Sequence, residues 1–147
     1  MKKSENKIIL CSACLLGIKC RYDGKSKPNK KVIKLARKGV LIPVCPEQLG
    51  GLSTPREPAE QRKGRVITKS GKDVTKNFKK GAKEVLKLAK LLGIEEAILK
   101  QRSPSCGSGQ IYDGTFSGNI IKGDGITASL LKRNRIKVIS EEDLIKI

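Results

Sequence analysis

Five cysteines carry the most reactive side chains of this 147-residue chain. Cys14, Cys45 and Cys106 each stand at or just beyond the end of a short apolar run, whereas Cys11 lies inside such a run and Cys20 lies in a polar stretch. Thiolates are soft metal ligands, and an odd number of cysteines argues against a complete set of disulfides. The sequence therefore predicts metal, cluster or nucleophilic chemistry.

Three thiolates at one place could serve in three ways. They could bind zinc with a water in the fourth position, or an iron–sulfur cluster in which one iron has no protein ligand. In either case the open metal position would act as a Lewis acid. The third interpretation is a set of unliganded thiols.

The other two cysteines are predicted to lie outside this set. Cys11 is expected to be a buried apolar side chain, because it falls within a strand and on the opposite pleat from Cys14. Cys20 is interpreted as an incidental loop cysteine, with a spare ligand or a reactive thiol as the alternatives.

The chain contains no histidine, which excludes Ser-His and Cys-His catalysis and histidine metal sites. Acid–base chemistry must then use another side chain, and Glu47 lies two residues after Cys45. A carboxylate beside a dry metal site can have a raised pKa that suits proton transfer. The alternative is a glutamate at a helix start that offsets the helix dipole.

Three polar segments could bind a small ligand. Residues 103–109 (SPSCGSG) offer hydroxyls and backbone N–H groups, although ordinary turn chemistry also explains them. Residues 21–24 (RYDG) and 54–56 (TPR) each combine a cation with a stacking or hydrogen-bonding group.

The formal net charge of +18 is typical of a chain that meets nucleic acid or other anions. The lysines are scattered along the chain, so a solvated basic surface is the alternative. Aromatic residues make up only 3%, which argues against a surface that stacks RNA bases. No apolar run approaches the ~20 residues of a membrane span, and residues 1–7 show no signal-peptide pattern, so we expect a cytoplasmic protein.

Short apolar runs alternate with helical patterns along the chain. Strands are predicted at 7–13, 40–44, 96–100 and 137–140, and helices at 30–38, 74–92, 125–134 and 141–147. A long loop is expected at 50–64, a hairpin around Ser70 and Gly71 at 65–73, and a loop or hairpin at 112–121. Asp73 should cap the long helix, whose apolar face runs from Phe78 to Leu92, and Gly93 should end it.

This order predicts an α/β fold: one Rossmann-like, three-layer domain over residues 1–147, with a mostly parallel sheet and helices on both faces. The carboxyl ends of parallel strands share one edge of the sheet. Cys14, Cys45 and Cys106 are therefore expected to meet there.

The motifs in this order resemble those of one known family. They are Ser12-Ala13-Cys14-Leu15-Leu16-Gly17, Arg21-Tyr22-Asp23-Gly24, Val44-Cys45-Pro46-Glu47, Thr54-Pro55-Arg56 and Arg102-Ser103-Pro104-Ser105-Cys106-Gly107-Ser108-Gly109. Their order and spacing over nearly the whole chain resemble the thiouracil desulfurase (TudS) family.

The resemblance implies an oxygen-sensitive [4Fe-4S] cluster held by Cys14, Cys45 and Cys106, with a fourth iron open to the sulfur of a thiolated pyrimidine such as 2-thiouracil. Water would replace that sulfur without net redox change, giving uracil and sulfide. The family's catalytic carboxylate matches Glu47, and Ser103 matches an assisting serine. A substrate-binding role is expected for five more residues: Arg21, Tyr22, Asp23, Arg56 and Ser105.

Four alternatives stay open at this point. Related desulfidases act on 4-thiouridine in tRNA, so a nucleotide or RNA could be the substrate instead of a free base. The same cysteines could serve a zinc hydrolase. A non-enzymatic RNA-binding module and a sulfur or cluster carrier are the remaining two.

Overall fold

A parallel sheet of four short strands forms the centre of the molecule. A computed structural model describes residues 7–39 and 41–146. The strands are β1 (Ile9–Ser12), β2 (Leu41–Val44), β5 (Glu96–Leu99) and β8 (Lys137–Ser140), and they pair in parallel in the order β2-β1-β5-β8. The predicted α/β class is confirmed. Val40, the predicted start of the second strand, lies outside the described residues, as do residues 1–6.

Helices cover both faces of this sheet, because successive strand side chains point to opposite sides. Leu10 packs with residues of α3 (Thr75–Leu92) and α4 (Ile126–Arg133). Cys11 packs on the other face with Val32 of α1 (Lys30–Ala36) and Leu144. Leu144 belongs to a 3-10 segment, Glu141–Lys146, where a short helix reaching Ile147 was predicted. Ile147 lies outside the described residues.

The long helix α3 follows the predicted pattern closely. Val74, not Asp73, is the N-cap residue, although the Asp73 carboxylate accepts a hydrogen bond from the Thr75 N–H at 2.9 Å; Gly93 ends the helix in the left-handed conformation with φ 66°. Phe78 and the small apolar residues after it are buried, whereas Leu92 at the end of the predicted face is 41% exposed. In the described part of the chain, no helix is both long and apolar enough to cross a membrane.

Two antiparallel hairpins flank the central sheet. The first joins β3 (Ala59–Arg62) to β4 (Arg65–Thr68), so the loop predicted at 50–64 contains a strand. The small hairpin predicted around Ser70 and Gly71 is present as a tight reversal: an antiparallel bridge joins Ile67 to Asp73, and the Thr68 N–H donates to the Lys72 carbonyl oxygen at 2.8 Å. The second hairpin joins β6 (Gln110–Tyr112) to β7 (Ile120–Lys122), within the region predicted as a loop or hairpin.

Two short helical segments follow a strand directly and are absent from the predicted helices, although a helix start at Glu47 was one of the two interpretations of that residue. A 3-10 turn, Ala13–Leu16, continues β1, and α2 (Pro46–Leu49) begins one residue after β2. Gly17 ends the 3-10 turn in the left-handed region at φ 94°. These segments turn the chain away from the sheet edge and position the residues described next.

Candidate active site

The carboxyl ends of β1, β2 and β5 open onto one cavity of about 550 Å³. Cys14 lines it from the 3-10 turn after β1, Cys45 from the residue after β2, and Cys106 from the loop after β5. Cys14 and Cys106 are buried, whereas Cys45 is partly exposed. The prediction that these three cysteines meet at one sheet edge is confirmed.

Close packing of α2 against α3 fixes the second of these positions. Cys45 is the N-cap residue of α2, and Pro46 occupies the start of the helix, where its restricted φ is favourable. Gly81 of α3 lets the two backbones touch: a Cβ at this position would lie 1.9 Å from the Pro46 carbonyl oxygen. The direction in which Cys45 and Glu47 face the cavity therefore depends on a glycine of the neighbouring helix α3.

The loop after β5 is held by its own serines. The Ser103 hydroxyl oxygen accepts hydrogen bonds from the N–H groups of Ser105 and Cys106, each at 3.0 Å, and Ser103 lines the cavity. Ser105 is fully buried, and its hydroxyl pairs with that of Thr127 at 2.8 Å. Ser105 was expected to bind substrate; its hydroxyl pairs with Thr127 of α4, and the residue does not line the cavity.

Glu47 brings a carboxylate to the cavity from the first turn of α2. Its Oε1 lies 3.9 Å from the Cys45 Sγ. Burial raises the pKa of Glu47 above its ordinary value of 4.5, while the positive charges of Arg56 and Arg21 partly oppose the shift. A carboxylate with a raised pKa is suited to exchanging protons with water near neutral pH. Its place in the first helical turn also fits the helix-start alternative.

Arg56 joins the two arginine-containing segments. Its Nη2 donates to the Cys20 carbonyl oxygen at 3.0 Å and its Nη1 to the Thr54 hydroxyl at 2.9 Å. Its backbone N–H donates to the Tyr22 carbonyl oxygen at 2.8 Å. Arg56 lines the cavity, and these bonds hold the segment that carries Arg21 against the site.

Arg21 has a buried donor that the protein leaves unused. Its Nε has no hydrogen-bond partner among the described residues, and Asp23 Oδ1 is 3.7 Å away. A buried, unsatisfied N–H at a cavity wall is a position where a ligand acceptor can bind. Tyr22 lines the cavity and is 40% exposed. Asp23 does not line it, and its carboxylate accepts the Lys25 N–H at 2.9 Å; the substrate contact expected of Asp23 stays a prediction.

The two remaining cysteines differ from each other. Cys11 is fully buried in the core, as predicted, and burial raises its pKa to about 12. Cys20 was interpreted as an incidental loop cysteine, yet it is 3% exposed and lines the cavity, and its carbonyl oxygen lies 3.6 Å from the Cys45 Sγ. The reason is the reversal at Gly17, which brings the chain back to the site.

Two other side chains support the site and were not among the predicted site residues. Gln61 donates to the carbonyl oxygens of Pro104 and Asp124, at 3.1 and 2.8 Å, and so clamps the loop after β5. Lys100 lines the cavity and pairs with Glu141 at 3.2 Å. Lys100 could have been found from the sequence, because it is a cation directly after a strand that ends at the site. Gln61 could not, because it lies in the stretch predicted as a loop.

The donor set of this cavity fits an iron–sulfur cluster. The pKa of Cys14 is raised to about 11 by burial, opposed by the charges of Arg21 and Lys100, and burial also raises the pKa of Cys106 well above its ordinary value. Such thiols bind metal as thiolates, and metal binding releases their protons to solvent or to a nearby base. Within residues 7–39 and 41–146, no three Cys, Asp or Glu side chains are placed to hold a single metal ion. In an iron–sulfur cluster each cysteine thiolate binds its own iron, so three cluster cysteines need not converge on one metal ion.

The fold and this cavity define an α/β class of protein with a cysteine-lined cavity at the carboxyl edge of a parallel sheet. The family model of 2-thiouracil desulfurase matches residues 9–143 of the chain. The chain belongs to this enzyme family.

Two relatives cover almost the whole chain. An uncharacterised protein of Bacillus subtilis (strain 168), YbbK, is 48% identical over 147 residues, covering 93% of this chain and 97% of its own. A solved structure titled [4Fe-4S]-dependent thiouracil desulfidase TudS is 47% identical, with a TM-score of 0.90, and the match covers 95% of this chain and 94% of that one.

Proposed function

We propose that this protein is an iron–sulfur-dependent desulfidase that removes sulfur from a thiolated pyrimidine of the 2-thiouracil type and releases sulfide. The observation that carries the proposal is the meeting of Cys14, Cys45 and Cys106 with the Glu47 carboxylate in one cavity. The family and the iron–sulfur dependence of the similar TudS structure support it.

The three cysteines are the proposed ligands of a [4Fe-4S] cluster. When bound, such a cluster supplies one iron without a protein ligand, a Lewis acid that prefers soft sulfur to oxygen. The reaction exchanges sulfur for oxygen: a thiolated pyrimidine and water give the oxygenated pyrimidine and hydrogen sulfide. No electrons are transferred overall, so no reductant is required.

Glu47 is the proposed general base. The chain has no histidine, and Glu47 is the carboxylate that lies beside a proposed ligand, with its Oε1 3.9 Å from the Cys45 Sγ. It would take a proton from the water that attacks the ring carbon and return it to the departing sulfur. A positioned base of this kind contributes ~10²–10⁴-fold to turnover.

Arg21, Ser103 and Tyr22 are the proposed substrate contacts. The unused buried Nε–H of Arg21 can donate to a ring carbonyl oxygen or a ring nitrogen. The Ser103 hydroxyl accepts two backbone N–H groups, and its own proton stays available to the substrate. Tyr22 can cover the ring at the mouth of the cavity, while Arg56 holds Arg21 in place.

A second candidate substrate is the nucleotide form, or 4-thiouridine within tRNA. Three carboxylates and six cations line the cavity. The cations are Arg21, Lys27, Arg56, Lys72, Lys100 and Arg102. The excess of positive charge would attract a phosphate group to the cavity. A lower KM for the monophosphate than for the base would favour this candidate, provided that added salt reduces the difference between the two KM values. Equal KM values would favour the base.

The test is anaerobic reconstitution with iron and sulfide, followed by sulfide release from a panel of thiolated pyrimidines. Cys14→Ser, Cys45→Ser and Cys106→Ser should each lose most of the bound iron and all turnover. Cys11→Ser is the matched control and should retain both. Iron binding that survives the first three substitutions, or sulfide release by iron-free protein, would reject the proposal.

A further inference from the structure

Lys100 lies at the carboxyl edge of the sheet, beside a buried carboxylate. It is the first residue after β5, and Glu141 is the first residue after β8; the last residues of these two strands, Leu99 and Ser140, pair in register. On its other side β5 pairs with β1, and Cys14 follows β1 in the 3-10 turn. Because neighbouring strands lie about 4.8 Å apart, the sheet places Lys100 between Glu141 and the turn that carries Cys14.

Glu141 holds the ammonium group of Lys100 in place. The Lys100 Nζ lies 3.2 Å from Glu141 Oε2 and donates to the Gln101 carbonyl oxygen at 3.1 Å. The side chains of Lys100 and Glu141 are only 18% and 9% exposed, so salt screens this pair far less than a surface pair. The wall of the cavity therefore carries a fixed positive charge at this position.

One N–H of this ammonium is left for a ligand. A lysine ammonium has three donors, and within the described part of the chain its acceptors are Glu141 and the Gln101 carbonyl oxygen. Lys100 lines the same cavity as the three proposed cysteine ligands. The third donor and the positive charge are thus available to an anion that forms in the cavity.

Hydrogen bonds on both sides fix the backbone around Lys100. Its own N–H donates to the Ser12 hydroxyl oxygen at 2.9 Å, and the Gln101 N–H donates to Glu141 Oε1 at 2.8 Å. The Gln101 side chain also binds the backbone of Ser108, accepting its N–H at 2.8 Å and donating to its carbonyl oxygen at 2.9 Å. A charge held in this way needs no reorganisation at the moment when an anion forms beside it.

The anion that forms in the proposed reaction is the departing sulfur. When the carbon–sulfur bond breaks, the electron pair of that bond stays on sulfur, and the leaving group is hydrosulfide. A cation in a cavity that excludes most water stabilises such an anion more strongly than a cation at the surface does. The uncharged thiolated ring gains less from this cation, so the stabilisation acts mainly on the chemical step.

We propose that the Lys100 ammonium binds the sulfur as it leaves as hydrosulfide, and that Glu141 positions this ammonium; the assignment rests on the proposed function. Water forms the new carbon–oxygen bond and gives one proton to Glu47. The carbon–sulfur bond then breaks, and the sulfur keeps the electron pair, takes the second water proton and leaves beside Lys100. Return of the first proton from Glu47 gives hydrogen sulfide, so both protons of the water end on sulfur.

The first experiment measures the reduction potential of the reconstituted cluster under anaerobic conditions in the parent, Lys100→Met and Lys7→Met. A nearby cation stabilises the reduced, more negative state of a cluster, so the potential should be lower in Lys100→Met than in the parent. Lys7→Met is the matched control, because Lys7 pairs with Glu96 at the opposite end of β5, and it should keep the parent's potential. A parent-like potential in Lys100→Met, or an equal shift in the control, would overturn the assignment.

The second experiment separates substrate binding from chemistry. For Lys100→Met, kcat of sulfide release should fall by ~10²-fold while KM stays within about twofold of the parent's, because the contact forms only as the sulfur leaves. The double variant Lys100→Met with Glu141→Gln should show the same loss, and it leaves no buried carboxylate unpaired. A parent-like kcat, or loss of bound iron from both variants, would overturn the assignment.

The two proposals fail in different ways. A parent protein that binds no iron or releases no sulfide would overturn the proposed function, and the assignment of Lys100 with it. A parent that releases sulfide, together with a Lys100→Met variant of equal potential and equal kcat, would overturn the assignment of Lys100 alone.

Discussion

Gly81→Ala should damage the active site from the far side of α2. A Cβ at residue 81 would lie 1.9 Å from the Pro46 carbonyl oxygen and 2.8 Å from the carbonyl carbon. Both of these atoms are backbone, so no side chain can rotate away to make room. The two helices must separate, and α2 carries Glu47 with it.

The magnitude follows from two opposed effects. Alanine is favoured over glycine inside a helix by ~0.5–1 kcal/mol. Ordinary contact begins near 3.4 Å, so α2 must move by more than ~1 Å, and overpacking of this kind costs ~1–3 kcal/mol. We expect a net loss of about 1–2 kcal/mol in the free energy of unfolding. A displacement of ~1 Å at Glu47 should lower turnover by ~10²-fold.

Urea denaturation of the cluster-free protein and anaerobic turnover of the reconstituted protein measure these two effects. Lys83→Ala, an exposed position on the same helix, is the matched control and should keep the parent's stability within ~0.5 kcal/mol, together with its turnover. Parent-like stability and turnover in Gly81→Ala would show that α2 is not held by this contact, and the reasoning would fail.

Two further predictions concern the cavity itself. Glu47→Gln should keep its iron but lose ~10²–10⁴-fold in turnover. The parent's turnover should rise with pH through a pKa above 4.5, because burial raises the pKa of Glu47. This rise should be absent in Glu47→Gln. A rise that persists in the variant would mean that another group titrates. Ser105→Ala should cost ~1–3 kcal/mol in the free energy of unfolding, because Thr127 loses its buried partner, while KM stays unchanged. A raised KM together with parent-like stability in Ser105→Ala would instead indicate that Ser105 contacts the substrate.

The position of the three cysteines was predictable because it depends on topology alone. Short apolar runs gave the strands, and the shared edge of a parallel sheet then brought Cys14, Cys45 and Cys106 together. The places of Cys20 and Ser105 depend instead on tertiary contacts. The return of the chain after Gly17 and the pairing with Thr127 leave no periodic signal in the sequence.

The β3–β4 hairpin shows a second feature that could not be predicted from the sequence. Glycine, proline and charged residues dominate 50–64, a composition typical of a loop, yet Ala59–Arg62 pairs with Arg65–Thr68 over four residues. Antiparallel pairing with a neighbour overrides weak strand propensity. Gln61, which clamps the loop of Cys106, could not be found without this strand.

The central claim is a hydrolytic exchange of sulfur for oxygen, and isotope-labelled water tests it most directly. The anaerobically reconstituted protein is incubated with 2-thiouracil in H₂¹⁸O without any electron donor, and sulfide and labelled uracil are quantified together. The account predicts one ¹⁸O atom in uracil for each sulfide released, at a rate unaffected by added reductant. Sulfide release that requires an electron donor, or a product without ¹⁸O, would contradict it.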